Sequence, residues 1–131
     1  VLLPPTQNDA SATITLSNVG ASAYRVDAVD GEGATAQLSM DNTGIELTAG
    51  LRYTFVNNGG ASHPLDLRNS NGDVLLSEDG ANGTFENDAN VDFVVDGANI
   101  SFTLTSELAA AIATYNCTIH SAMGGAITIA I

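Results

Sequence analysis

Both histidines and the single cysteine of this chain fall into one pattern. The tail reads Tyr115-Asn-Cys117-Thr-Ile-His120-Ser-Ala-Met123, and the other histidine, His63, lies far upstream. A thiolate, two imidazoles and the Met123 thioether make one ligand set. Soft sulfur beside borderline nitrogen suits copper in both oxidation states, and this set is that of a one-electron copper centre. With two histidines and one cysteine in total, the chain can build one mononuclear centre and no more.

The same scarcity excludes other chemistries. One cysteine rules out an internal disulfide and an iron–sulfur cluster held by several thiolates. A binuclear copper site needs a second cysteine, and multicopper oxidases need many more histidines. Four protein ligands leave no open position for a substrate, so the expectation is a non-enzyme. Taken singly, each residue has a plainer fate. Cys117 fits a small buried hydrophobe, His63 a satisfied strand-end residue, His120 a loop residue and Met123 the core. Their joint spacing is what those readings leave unexplained. Tyr115 shares a strand face with Cys117 and is read as core packing rather than an electron relay. Nothing metal-binding flanks Met40.

The charge narrows the partners. Fifteen acidic residues against three arginines (Arg25, Arg52, Arg68) give a net charge of −12. Phosphate recognition needs a basic footprint, so no nucleic acid and no anionic membrane surface is expected. The tip Val1-Leu2-Leu3 is too short to span a bilayer and is stopped by Pro4-Pro5. Such acidity fits saline surroundings, where self-repulsion is screened. The chain begins at Val1 rather than Met, which points to a removed signal peptide or to a piece cut from a longer chain; the first implies a secreted, extracellular or periplasmic-like location. Sequons at Asn82, Asn99 and Asn116 support export weakly. The acidic stretch from Asp79 to Asp92 lacks the spacing of a calcium loop and reads as solvated. Asp66 and Arg68 read as a surface pair of little energetic weight.

Short segments must position these groups. Period-two alternation and β-formers predict strands at 12–16, 23–29, 36–40, 45–47, 52–56, 63–67, 74–76, 91–95, 100–104, 115–117 and 126–131. Pro64 puts the His63 segment near a strand start or an edge. Residues 77–90 read as a polar loop. Ser106-Glu-Leu-Ala-Ala-Ala-Ile-Ala113 is a run of helix formers, with Thr105 or Ser106 as cap and Glu107 in the first turn. Many short strands with Gly/Asn turns predict an all-β sandwich with one short helix around residues 106–113.

The ligand loop Cys117-Thr-Ile-His120-Ser-Ala-Met123 resembles that of cupredoxins, the small blue type 1 copper proteins, with amicyanin-like spacing. Arg52-Tyr-Thr-Phe and Ser62-His63-Pro64-Leu65 look like the first-ligand segment of plastocyanin-like domains. The resemblance covers residues 22–131. It implies a Greek-key cupredoxin-like sandwich at 21–131, with residues 1–20 as an N-terminal arm or first strand. It also implies that His63, Cys117 and His120 are the equatorial ligands and Met123 the weak axial one. His120 would be the electron exit, and a redox protein the partner. The chain departs from the family at Pro64. Many members carry asparagine there, and a backbone N–H at that point donates to the cysteine sulfur. Proline has no N–H, which implies a more electron-rich thiolate and a lower reduction potential.

Two other functions stay open. A fold does not fix a function. Residues 1–20 could add a strand to a neighbour's sheet edge and build a homo-oligomeric fibre or surface layer. The same ligands would also serve copper storage or delivery.

Overall fold

A computed structural model describes residues 10–79 and 83–130. Its first sheet has the order β2-β1-β5-β9-β8 and its second β3-β4-β11-β10-β6-β7. The first contains β1 (Ala12–Val19), β2 (Ala23–Gly31), β5 (Arg52–Asn57), β8 (Val94–Asp96) and β9 (Asn99–Thr103). The second contains β3 (Ala34–Ala36), β4 (Ile45–Leu47), β6 (Leu65–Arg68), β7 (Val74–Ser77), β10 (Thr114–Cys117) and β11 (Gly124–Ile129). Pairing is mixed: β1 runs parallel to β5, and β11 parallel to β4. The protein is an all-β sandwich.

Alternation decides which faces meet. Ala12, Ile14 and Leu16 of β1, Tyr53 and Phe55 of β5, and Ile100 and Phe102 of β9 are buried. They share one core with Ile45, Leu47, Leu65, Leu67, Tyr115 and Ile127 of the other sheet. A one-residue slip in any of these strands would turn its apolar set to water. The core includes Cys117 and Met123, so two of the sequence-predicted ligands belong to the best-packed part of the molecule.

Among the described residues the one α-helix, α1, spans Ser106–Ala111 and joins the two sheets. Thr105 is the cap, its hydroxyl accepting from the Leu108 amide at 3.1 Å. The helix stops before the expected residue 113 because Ile112 is extended and the Ala113 amide bonds to the Arg68 carbonyl.

Three strands differ from the sequence expectation. Residues 37–40 do not continue β3, because Ser39 is at φ 59° and its amide turns back to Val26. Residues 91–93 are not strand, because Asp92 is at φ 49°; β8 begins only at Val94. His63 lies outside β6. It ends a 3-10 turn at Gly60–Ser62, and Pro64 separates it from the ladder that starts at Leu65.

Residues 12–19 lie between β2 and β5 inside their own sheet. That takes up the strand-like half of the expected arm. The apolar tip Val1–Leu3, Asn82 of the first sequon and the chain end at Ile131 lie outside the described residues.

Candidate metal centre

The register of two neighbouring strands brings the ligands together. β10 pairs antiparallel with β6, placing Cys117 opposite Leu65, two residues beyond His63. The chain then folds back on itself. The Cys117 amide donates to the Met123 carbonyl at 3.0 Å, and the Met123 amide to the His120 carbonyl at 3.0 Å. The Thr118 amide donates to the Pro64 carbonyl at 2.8 Å, tying the ligand loop to the His63 segment. Asn42 holds the loop from the other side. Its amide group donates to the Ala122 carbonyl at 3.1 Å, and its Oδ1 accepts from the Gly124 amide at 2.9 Å. Gly124 allows this closure, since a Cβ there would collide with the Tyr115 carbonyl oxygen.

At the end of these ties three ligand groups converge. His63 Nδ1 and His120 Nδ1 face each other at 3.2 Å, and Cys117 Sγ lies 3.5 Å from His120 Nδ1. One ligand atom from each of the three residues falls within 4.8 Å of the others. Tetrahedral sites with ordinary metal–nitrogen and metal–sulfur distances have nitrogen–nitrogen edges of about 3.3 Å and nitrogen–sulfur edges of about 3.5 Å. The donor set therefore fits a single ion, and this group can hold a metal.

Burial is graded across the group. Cys117 is 1 % exposed, and both histidines are half-buried. Around His120 the loop is open to solvent, with Ile119 61 % exposed and Ser121 and Ala122 exposed as well. Met123 is fully buried. Its backbone bonds to both Cys117 and His120, so its side chain leaves the chain at the residue that closes the ligand loop.

The surroundings are more polar than the sequence suggests. The His63 carbonyl accepts from the Tyr24 hydroxyl and from Asn57 Nδ2, the latter at 2.7 Å. Asn57 Nδ2 also donates to Glu78 Oε1 at 2.7 Å, and the same oxygen accepts from the Leu65 amide at 3.2 Å. Burial pushes the Glu78 carboxyl above its ordinary value, against the two donors that pull it down, while Asp66 and Asp79 add to the rise. Burial likewise raises the Tyr24 phenol, and the neighbouring Cys117 charge raises it further. Tyr115, pushed up to about 12 by burial, donates to the Thr43 carbonyl at 2.6 Å. It packs against Tyr24 with ring centres 6.2 Å apart, the core position expected for it.

Asp66 corrects one expectation. It does not lie on a surface ladder but is buried, with Arg68 at 3.0 Å and the Thr118 hydroxyl at 3.1 Å. It therefore braces the first residue after Cys117. Asn42, Asn57 and Glu78 escaped the sequence reading because Asn and Glu beside turns look like solvated loop residues. The one available signal was the end of an apolar alternation at Asn57.

No protein-family model, curated protein or solved structure matches this chain.

Proposed function

We propose that the chain binds one copper ion at His63, Cys117 and His120, with Met123 as the weak axial ligand, and carries single electrons. The observation behind this reading is the convergence of both histidines and the only cysteine at distances that suit one ion. A thiolate–imidazole–thioether set favours copper over harder cations. Copper, when bound, supplies the one-electron couple. The protein's part is to hold the donors in place. Cys117 sits in the core, and its loop is bonded to β6, to Asn42 and to itself, so little needs to move when charge is added or removed. His120 stands at the open side, where the exposed Ile119 and Ser121 offer a surface to a redox partner. The same resemblance to cupredoxins that the ligand loop carries supports this reading, and the net charge of −12 suits a secreted protein in salt water.

The assembly alternative has less support, because residues 12–19 already lie between two strands of their own sheet. Adding Cu(II) to the metal-free protein tests the copper reading. The expected result is an intense blue colour that is absent in Cys117→Ser. A colourless wild-type protein would overturn electron transfer as the function.

A further inference from the structure

We propose that Tyr24, Asn57 and Glu78 are positioning residues for this centre, a buried hydrogen-bonded set that fixes the backbone of His63, Pro64 and Leu65. The proposal rests on the reading of His63 and Cys117 as ligands.

The need for such a set begins at Pro64. A residue there with an N–H could bond to the cysteine sulfur or to a neighbouring strand, and proline can do neither. The backbone beside the first ligand is instead held through the carbonyl of His63 and the amide of Leu65. Two donors reach that carbonyl, Tyr24 from β2 and Asn57 from the end of β5. Glu78, just beyond β7, accepts from Leu65 and returns its own amide to the Leu65 carbonyl at 2.9 Å. Asn57 joins the two halves, because its two amide hydrogens serve His63 and Glu78. Its Oδ1 accepts from the Gly59 amide at 2.9 Å, which orders the turn leading into His63.

The three side chains are 0 %, 3 % and 9 % exposed. Burying such groups is costly unless each is bonded, and here the bonds converge on one three-residue segment. They also come from both sheets, so the segment is fixed relative to each. Outer-shell hydrogen bonds of this kind orient ligands and tune a metal.

Amide exchange in the metal-free protein and spectroscopy of the Cu(II) form test this together. In Tyr24→Phe, exchange at Leu65 and Thr118 should speed up by about tenfold, as expected for losing one hydrogen bond. Exchange at Thr103 and Ala109 should stay as in the wild type. Glu78→Leu should speed exchange at Leu65, and Glu78→Gln, which keeps the accepting oxygen, should restore it. With Cu(II), Tyr24→Phe should still bind one ion per chain but show a shifted sulfur-to-metal charge-transfer band and a changed reduction potential. Unchanged exchange at Leu65 and Thr118, or an equal change at all four amides, would overturn the positioning role. An unshifted band and potential would overturn the link between this set and the centre. If wild-type protein binds no copper, the copper reading fails, while the exchange data still decide whether the set holds the His63 segment.

Discussion

Strand β5 has a buried polar cluster at each end, and the two do different work. At its start, Arg52 donates to the Thr103 hydroxyl at 3.2 Å and to the Asp92 carbonyl at 3.0 Å. Beside it the Tyr53 hydroxyl donates to the Gly33 carbonyl at 2.5 Å and accepts from the Thr48 amide at 2.8 Å. These bonds close loops over the core, and none of them touches a ligand. At the other end Asn57, with Tyr24 and Glu78, bonds to the backbone around His63, one of three residues that could hold a metal ion. Both ends use a tyrosine and an ionisable side chain to satisfy buried backbone groups. They differ in what lies beyond. At one end the bonds seal the fold; at the other they leave two imidazole nitrogens and a cysteine sulfur turned toward each other.

The contrast is broken most sharply at the ligands themselves. His120→Ala should weaken metal binding by more than about a hundredfold, beyond the loss typical of outer-shell partners. It should leave the metal-free protein within about 0.5 kcal/mol of wild type, as for a surface change. Calorimetric titration and urea unfolding measure the two. At the sealing end the pattern reverses. Arg52→Ala takes the guanidinium donor from the Asp92 carbonyl and the Thr103 hydroxyl and should cost about 3 kcal/mol in urea unfolding. Metal affinity in the folded fraction should be unchanged. A smaller effect of the same kind is expected for Tyr53→Phe, about 1 kcal/mol with no spectral change. Tyr24→Phe should instead move the spectrum.

The smallest effect is one of pH. Glu78 and Glu86 are both raised, in each case chiefly by burial. A carboxyl raised in the folded state holds its proton more tightly there than in the unfolded chain. Its contribution is therefore present below the ordinary carboxylate value and is lost as pH rises through the raised one. Thermal stability should fall as pH climbs from that range toward neutral, and Glu78→Gln should flatten the slope. A stability that rises over this window would place the carboxyls' effect on the wrong side.

The three groups that could hold a metal were legible in the sequence because their residue types are scarce. With two histidines and one cysteine, spacing alone singled out the three groups that the fold brings together. The strands with clean alternation, such as β1 and β9, were legible for the same reason that they pack: one face is apolar. The segment at 91–95 looked like a strand by composition, but Asp92 turns the chain and β8 pairs only from Val94 onward. No local pattern carries that turn. The polar set at Tyr24, Asn57 and Glu78 was hidden for a deeper reason. Its bonds join residues far apart in the chain, and each member reads locally as an ordinary strand or loop residue. Asp66 misled in the same way, since beside Arg68 on its own strand it bonds to Thr118, far along the chain in the loop after β10.

The most direct measurement is the visible absorption spectrum of the metal-free protein as Cu(II) is added. The account expects an intense band from sulfur-to-copper charge transfer that saturates at one ion per chain and is absent in Cys117→Ser. A spectrum with only weak metal-centred bands, or an identical response from Cys117→Ser, would contradict it.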